Sequence, residues 1–157
     1  MECNFGNRTK AFRDGIKFLI DPDDYEKFVK DYRFCLAHEY VQYSSTKDGL
    51  NNKRLHRIIM NCPDDKMVDH INMNKLDNRR ENLRICSHQQ NQYNTTKYSN
   101  NKSGFKGVSF NKKRQKFEAQ IRIDGKQKII GYFDTAEKAH EKYKEYALKH
   151  HGDFARF

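Results

Sequence analysis

The dipeptide Asp124-Gly125, set between two runs that alternate apolar and polar residues, constrains this chain more than any other feature. A two-residue hairpin turn needs consecutive residues at positive φ, and Asp-Gly reaches that conformation at low cost. The flanking runs Lys116–Ile123 and Lys126–Phe133 therefore read as an antiparallel pair. A third alternating run, Phe105–Phe110, adds a strand. Asp134-Thr135-Ala136-Glu137 then has the form of a capping box. The helix it starts places Ala136, Ala139, Tyr143, Tyr146 and Ala147 on one side and ends near Gly152. Residues 104–157 thus form a minimal domain of three antiparallel strands backed by one helix. The polar, apolar-poor stretch 95–103 ahead of it reads as a linker.

The chain has 157 residues, enough for one ordinary domain or two small ones. Only 36% are hydrophobic, too few for one large core, but eleven Phe and nine Tyr can anchor two or three small ones. No apolar run approaches about 18 residues, so no membrane span is expected. Met1 to Phe5 lack the apolar stretch of a secretory signal, which points to an intracellular protein. Cys3, Cys35, Cys62 and Cys86 form no Cys-x-x-Cys pair, so a zinc site built from close cysteine pairs is disfavoured and reduced thiols are expected.

The net charge of +10 is unevenly spread. Residues 1–53 are neutral, with nine basic and nine acidic side chains, whereas residues 103–157 carry thirteen basic against seven acidic. A basic back half suits a polyanion, with nucleic acid ahead of an anionic membrane surface.

In the front half, residues 15–20 read as a strand, Asp21-Pro22-Asp23-Asp24 as a helix start, and Tyr25 to Tyr32 as a short helix. Residues 33–43 look like strand, Ser44 to Lys53 like loop, and Leu55 to Met60 like a short helix. Residues 1–53 either contact DNA or only pack on the segment 54–94, and their zero net charge favours packing. Residues 67–71 form a strand, residues 72–82 a long turn dense in Asn, Asp, Lys and Arg, and Leu83-Arg84-Ile85 a returning strand. Ser87-His88-Gln89-Gln90 is a capping box that opens a helix carrying Asn91.

Strand, loop, strand and helix bring a chemically suggestive set within one compact unit. Phosphodiester hydrolysis needs a base for water, a cation for charge on the phosphate, and groups that fix both. His70 has the residue type for the base. Asp69 and the amide oxygen of Asn91 are hard ligands suited to Mg²⁺ or Mn²⁺. Asn82 can bridge the long turn and hold the histidine strand. Neighbours in a regular strand point to opposite faces, so Asp69 and His70 can share a site only at a strand end or distortion.

The runs Leu55-His56-Arg57-Ile58-Ile59-Met60, Val68-Asp69-His70-Ile71-Asn72, Asn78-Arg79-Arg80-Glu81-Asn82-Leu83-Arg84 and Gln89-Gln90-Asn91 resemble the HNH endonuclease family. They are most similar to the phage and homing nicking branch, in which Asp and Asn replace the outer histidines. The separations fit that branch: twelve residues from His70 to Asn82 and nine from Asn82 to Asn91. The resemblance implies a ββα-metal module over residues 54–94. In it, Asp69 and Asn91 would hold one divalent ion, His70 would be the general base, and Asn82 would orient it. Arg57 would either contact phosphate or pair structurally. His38, His88, His140, His150 and His151 read as surface or helix-end histidines.

Residues 104–157 resemble an AP2 DNA-binding domain through Gly104-Phe105-Lys106-Gly107-Val108, Phe117 to Arg122, Gly131 to Thr135, and Ala147 through Gly152-Asp153-Phe154-Ala155. In that family the outer face of the sheet lies in the major groove. The equivalent residues here are Lys106, Ser109, Asn111, Gln120, Arg122, Gln127 and Ile129. Arg122 has the donor fork for guanine and Gln120 the amide for adenine. Arg114, Lys116 and Lys128 crowd the hairpin ends, where they would meet phosphates. The expectation is an α+β chain: a metal-dependent DNA endonuclease acting on duplex DNA as a monomer that nicks. The rival is a non-cleaving DNA-binding regulator with a relic nuclease half.

Overall fold

The computed structural model describes residues 8–11, 17–44, 47–95 and 101–157, which divide between two compact units, 1–87 and 88–157. Residues 15 and 16 of the first expected strand and residues 96–100 of the expected linker lie outside the described residues.

Among its described residues the first unit has three two-stranded antiparallel sheets and two short helices. β1 (Arg8–Ala11) pairs with β2 (Lys17–Ile20). α1 (Pro22–Phe28) follows, with Pro22 in its first turn and Asp23 and Asp24 complementing the positive end of the helix. It stops at Phe28, short of the expected Tyr32. The stretch expected as one strand is a hairpin, β3 (Phe34–Ala37) with β4 (Tyr40–Tyr43). Its turn residues His38 and Glu39 have φ of 50° and 68°. Two side-chain-bearing residues in the left-handed region cost about 1–2 kcal/mol each, and neither is a recognisable turn former, so the sequence hides this turn. α2 (Leu55–Ile59) and the pair β5 (Met67–His70) with β6 (Leu83–Cys86) complete the unit.

One core joins β2, α1, the β3–β4 hairpin, α2, β5 and β6. Phe18, Ile20, Val29, Val41 and Tyr43 from the front segment bury against Leu55, Ile59, Val68 and Leu83. Each large apolar side chain withdrawn from water contributes about 1.5–3 kcal/mol. The neutral front is therefore half of the core on which the β5–β6 hairpin stands. The buried Tyr43 keeps its hydroxyl satisfied by donating to the Phe28 carbonyl at 2.8 Å.

The second unit contains α3 (His88–Tyr93), a sheet in the order β7 (Val108–Asn111), β8 (Lys116–Ile123), β9 (Lys126–Phe133), and α4 (Ala136–His151). β8 and β9 have the limits read from the alternation, and Asp124 and Gly125 take φ of 50° and 74° in their turn. Ala119 faces Gly131 whereas Gln120 faces Ile129, so Ile130 is the extra residue of a bulge and turns into the core. Asn101 and Ser103, read as linker, tie the start of this unit together. The Asn101 amide donates to Phe105 O at 2.7 Å, and Ser103 Oγ donates to Val108 O at 2.7 Å.

α4 buries Ala136, Ala139, His140, Tyr143, Ala147 and His151 against the sheet. Tyr146, expected on this face, is exposed, while His140 and His151, expected at the surface, are buried. Phe105 stacks on His140 at 4.8 Å and Tyr93 on His151 at 3.6 Å, so both imidazoles serve as flat packing rings. The cap is Thr135, which accepts from Lys138 N, not Asp134, which pairs with Lys116 at 3.2 Å. Gly107 (φ +72) packs so tightly that a Cβ there would lie 2.2 Å from the Tyr143 ring. Only glycine lets the chain pass at that point.

Candidate active site on the β5–β6 hairpin

β5 ends on Asp69 and His70, both buried although both are polar. The antiparallel register runs regularly through them, Asp69 opposite Arg84 and His70 opposite Leu83. The backbone departs from strand geometry only afterwards, with Met73 at φ 66°. The two side chains accordingly meet different neighbours, as strand alternation requires.

Asp69 meets Arg84 across the strand pair. The guanidinium donates twice to the same oxygen, Oδ2, at 2.8 and 2.7 Å. A cation directly opposite a carboxylate is the favourable cross-strand arrangement, and here it offsets the cost of burying the acid. His70 turns toward a cluster of rings. His56 of α2 meets it edge to face with centroids 5.0 Å apart, and Tyr40 lies 6.0 Å away. Burial lowers the His70 pKa below the ordinary imidazole value, opposed in part by the Asn78 side chain and by Asp69 and Asp77. His56 is pushed down to about 3 by burial, then by His70, Arg54 and Arg57. Both rings are thus neutral at neutral pH, the form in which an imidazole can take a proton.

The long turn between the strands is held by side chains rather than by regular pairing. Asn82 Oδ1 accepts from Asn72 N at 2.9 Å, and its amide donates to Asp77 O at 2.8 Å. The Asn82 carbonyl accepts from Ile71 N at 2.9 Å, immediately after His70. Asn82 therefore acts on the backbone that carries the histidine. Arg79 forks onto buried Asp77, and Arg80 forks onto buried Asp24 of α1 at 2.7 Å through both nitrogens. Leu19 N donates to Leu76 O, and Asn78 N donates to Leu19 O, so β2 borders the turn.

Asn91 stands on α3 in the second unit, half-buried, while Asp69, His70 and Asn82 belong to the first. Among the described residues no cluster of three or more His, Cys, Asp or Glu side chains forms a metal cage. The Asp69 carboxylate and the Asn91 amide are each hard oxygen donors of the type a divalent ion accepts.

Arg57 donates to the carbonyls of Lys66 at 2.8 Å and Pro63 at 2.9 Å, which is the structural pairing named as one of its two expected roles. Sequence reasoning placed His56, Asn78 and Arg84 in the family-like runs without giving them a role, and missed Tyr40. Arg84 was accessible by counting the hairpin register outward from the turn. His56 could have been found as the neighbour of Leu55 on the buried side of α2.

In the second unit, Ser109, Gln120, Arg122, Gln127 and exposed Ile129 share the sheet face away from α4. Gln127 donates to Gln120 across the strands. Asn111 donates to Glu118, Arg114 stacks 4.5 Å from the Tyr132 ring centroid, and Lys116 pairs with Asp134. Lys106, expected on the outer face, is partly buried, donates to Tyr93 O at 2.8 Å, and is lowered to about 8 by desolvation and then by Arg156. Lys128 lies opposite Ile121 close to the Asp124-Gly125 turn and is exposed.

The hairpin that ends in Asp69-His70, with its Asn-held turn, falls inside a segment matched by a known family. The HNH endonuclease family model matches residues 53–93. An uncharacterized HNH endonuclease, L560, of Acanthamoeba polyphaga mimivirus is 35% identical over 112 residues, covering 68% of this chain and 57% of its own length. Protein 3.8 of Escherichia phage T7 is 33% identical over 90 residues, covering 57% of this chain and 74% of its own. Residues 53–93 of this chain are an HNH endonuclease domain. It spans little more than half the length of the mimivirus relative. No solved structure matches it, and none of its described helices is long and apolar enough to cross a membrane.

Proposed function

We propose that this protein hydrolyses phosphodiester bonds in duplex DNA, with His70 as general base. The observation that carries the reading is the buried, neutral imidazole at the end of β5, inside the family-matched segment and beside a buried carboxylate. His70 takes the proton from a water that attacks phosphorus in line with the leaving 3′ oxygen. The products are 5′-phosphate and 3′-hydroxyl ends. Asn82 keeps the histidine strand and turn in register through the attack. Asp69 and Asn91 would hold one divalent ion, Mg²⁺ or Mn²⁺, which when bound supplies positive charge for the phosphate and leaving oxygen.

The second unit is proposed as an AP2-like module that holds the duplex through Ser109, Gln120, Arg122 and Gln127. The remaining basic side chains at the hairpin ends would supply phosphate contacts there. One active centre per chain suits a monomer that nicks, working inside the cell in a viral or mobile-element setting.

The test is a supercoiled-plasmid assay with Mg²⁺, Mn²⁺ or EDTA, comparing wild type with His70→Ala at matched DNA occupancy. Metal-dependent open-circle product that disappears in His70→Ala is the expected result. Failure of the wild type to cut plasmid or a pool of diverse duplexes overturns the proposal. Equal cutting by both proteins would remove the base assignment.

A further inference from the structure

Tyr40 is the first residue after the strained His38-Glu39 turn, and its ring gathers groups from three other parts of the first unit. The His56 ring centroid lies 5.1 Å away and that of His70 6.0 Å. The Arg54 guanidinium, at the N-cap of α2, sits 4.3 Å from the ring centroid, and Lys75 Nζ, from the long turn, sits 4.8 Å from it. Two cations therefore converge on one aromatic ring beside the catalytic histidine, against their mutual repulsion. Packing alone does not call for this, because a buried aliphatic pair would stabilise the same ring without charge. Arg54 has no carboxylate partner among the described residues. Lys75 has one, Glu39 at 2.6 Å, presented by the strained turn itself. Arg54 also lines a cleft of about 920 Å³ with Lys27, Lys53, Arg57 and Arg80, a basic wall in which Asp64 is the acidic member.

We propose that Arg54 and Lys75, both resting on Tyr40, form a phosphate clamp next to His70. The clamp grips the backbone of the strand being cut, and Glu39 holds the Lys75 arm until DNA displaces it. The ring fixes both long side chains without consuming their donors, so the cations are in place before the polyanion arrives. This rests on the reading of DNA as substrate, and it names residues outside the Asp-His-Asn-Asn set.

The experiment uses the full chain and two readouts. Binding of a short duplex is measured in EDTA across a salt series for wild type, Arg54→Gln, Lys75→Gln and Glu39→Gln. Single-turnover cleavage is measured with metal at saturating protein. Each lost phosphate contact should flatten the plot of log affinity against log salt by about 0.9. Arg54→Gln and Lys75→Gln should also cut at least about tenfold more slowly. Glu39→Gln should bind about two- to five-fold more tightly at low salt, a gain that misfolding cannot mimic. Wild-type slopes and rates in Arg54→Gln and Lys75→Gln, with native circular dichroism, would overturn the clamp while leaving the nuclease reading intact. The expected slopes in a protein that cuts nothing would uphold the clamp and overturn the nuclease reading. A wild type that binds no duplex would overturn both.

Discussion

Replacing Arg84 by Met should unfold the first unit well before it unfolds the second. The guanidinium makes two short bonds to Oδ2 of Asp69, with the arginine side chain 18% exposed and the aspartate 7%. Met fills the space of the arginine stem but leaves the carboxylate without that cation. Removing one partner of a buried pair costs about 3–5 kcal/mol, and the partial exposure of Arg84 argues for somewhat less, about 2–4 kcal/mol. In a unit of this size each kcal/mol corresponds to about 4–8 °C, so the first transition should fall by about 10–25 °C. Far-UV circular dichroism during heating and in urea measures it. Because the same carboxylate is the proposed metal ligand, millimolar Mg²⁺ should recover more stability in Arg84→Met than in wild type. A loss below about 1 kcal/mol would refute the reasoning, since the pair would not then be what permits the acid to be buried. Equal Mg²⁺ effects on both proteins would refute the link to metal.

Gly107→Ala should cost the second unit about 3–5 kcal/mol, from the positive φ and from a Cβ forced to within 2.2 Å of the Tyr143 ring; thermal denaturation measures it. His56 is held neutral down to about 3 in the folded state, whereas the unfolded chain binds its proton near 6.5. Stability should therefore decline as pH falls through 6.5, by about 2 kcal/mol at pH 5, and His56→Phe should flatten that decline in urea titrations at each pH. The acid limb of the cleavage rate should lie below the ordinary histidine value, because burial disfavours the protonated form of His70. A limb above 6.5 in single-turnover rates would contradict the environment described for it.

Local signals carried most of the second unit. Asp124-Gly125 and the alternation around it are set by backbone geometry within a few residues, and β8 and β9 have the limits they imply. The helix face was less legible, because a histidine stacked on a ring is compositionally polar. Periodicity therefore favoured Tyr146 over His140 and His151, which are buried by Phe105 and Tyr93, distant in sequence. In the first unit the β5–β6 hairpin and its long turn could be read. The His38-Glu39 turn could not, since it holds none of the Gly, Asn or Asp residues that mark a two-residue hairpin turn. The candidate site divided in the same way. Asp69, His70 and Asn82 lie close together in sequence and could be named from it. Arg84, His56, Tyr40, Arg54 and Lys75 become neighbours only once the core has brought β4, α2 and the turn together.

The shared core of the first unit sets a limit on dissection. A fragment cut at residue 53, where the family match begins, would carry Leu55, Ile59, Val68 and Leu83 without Phe18, Ile20, Val29, Val41 and Tyr43. It would also strand Arg80, whose partner Asp24 would be gone, and free the turn from β2. Transplanting this HNH domain into another protein therefore requires the front segment as well. The excised cassette alone would be sticky and shapeless, with its histidine attached to a strand that has nothing to lie on.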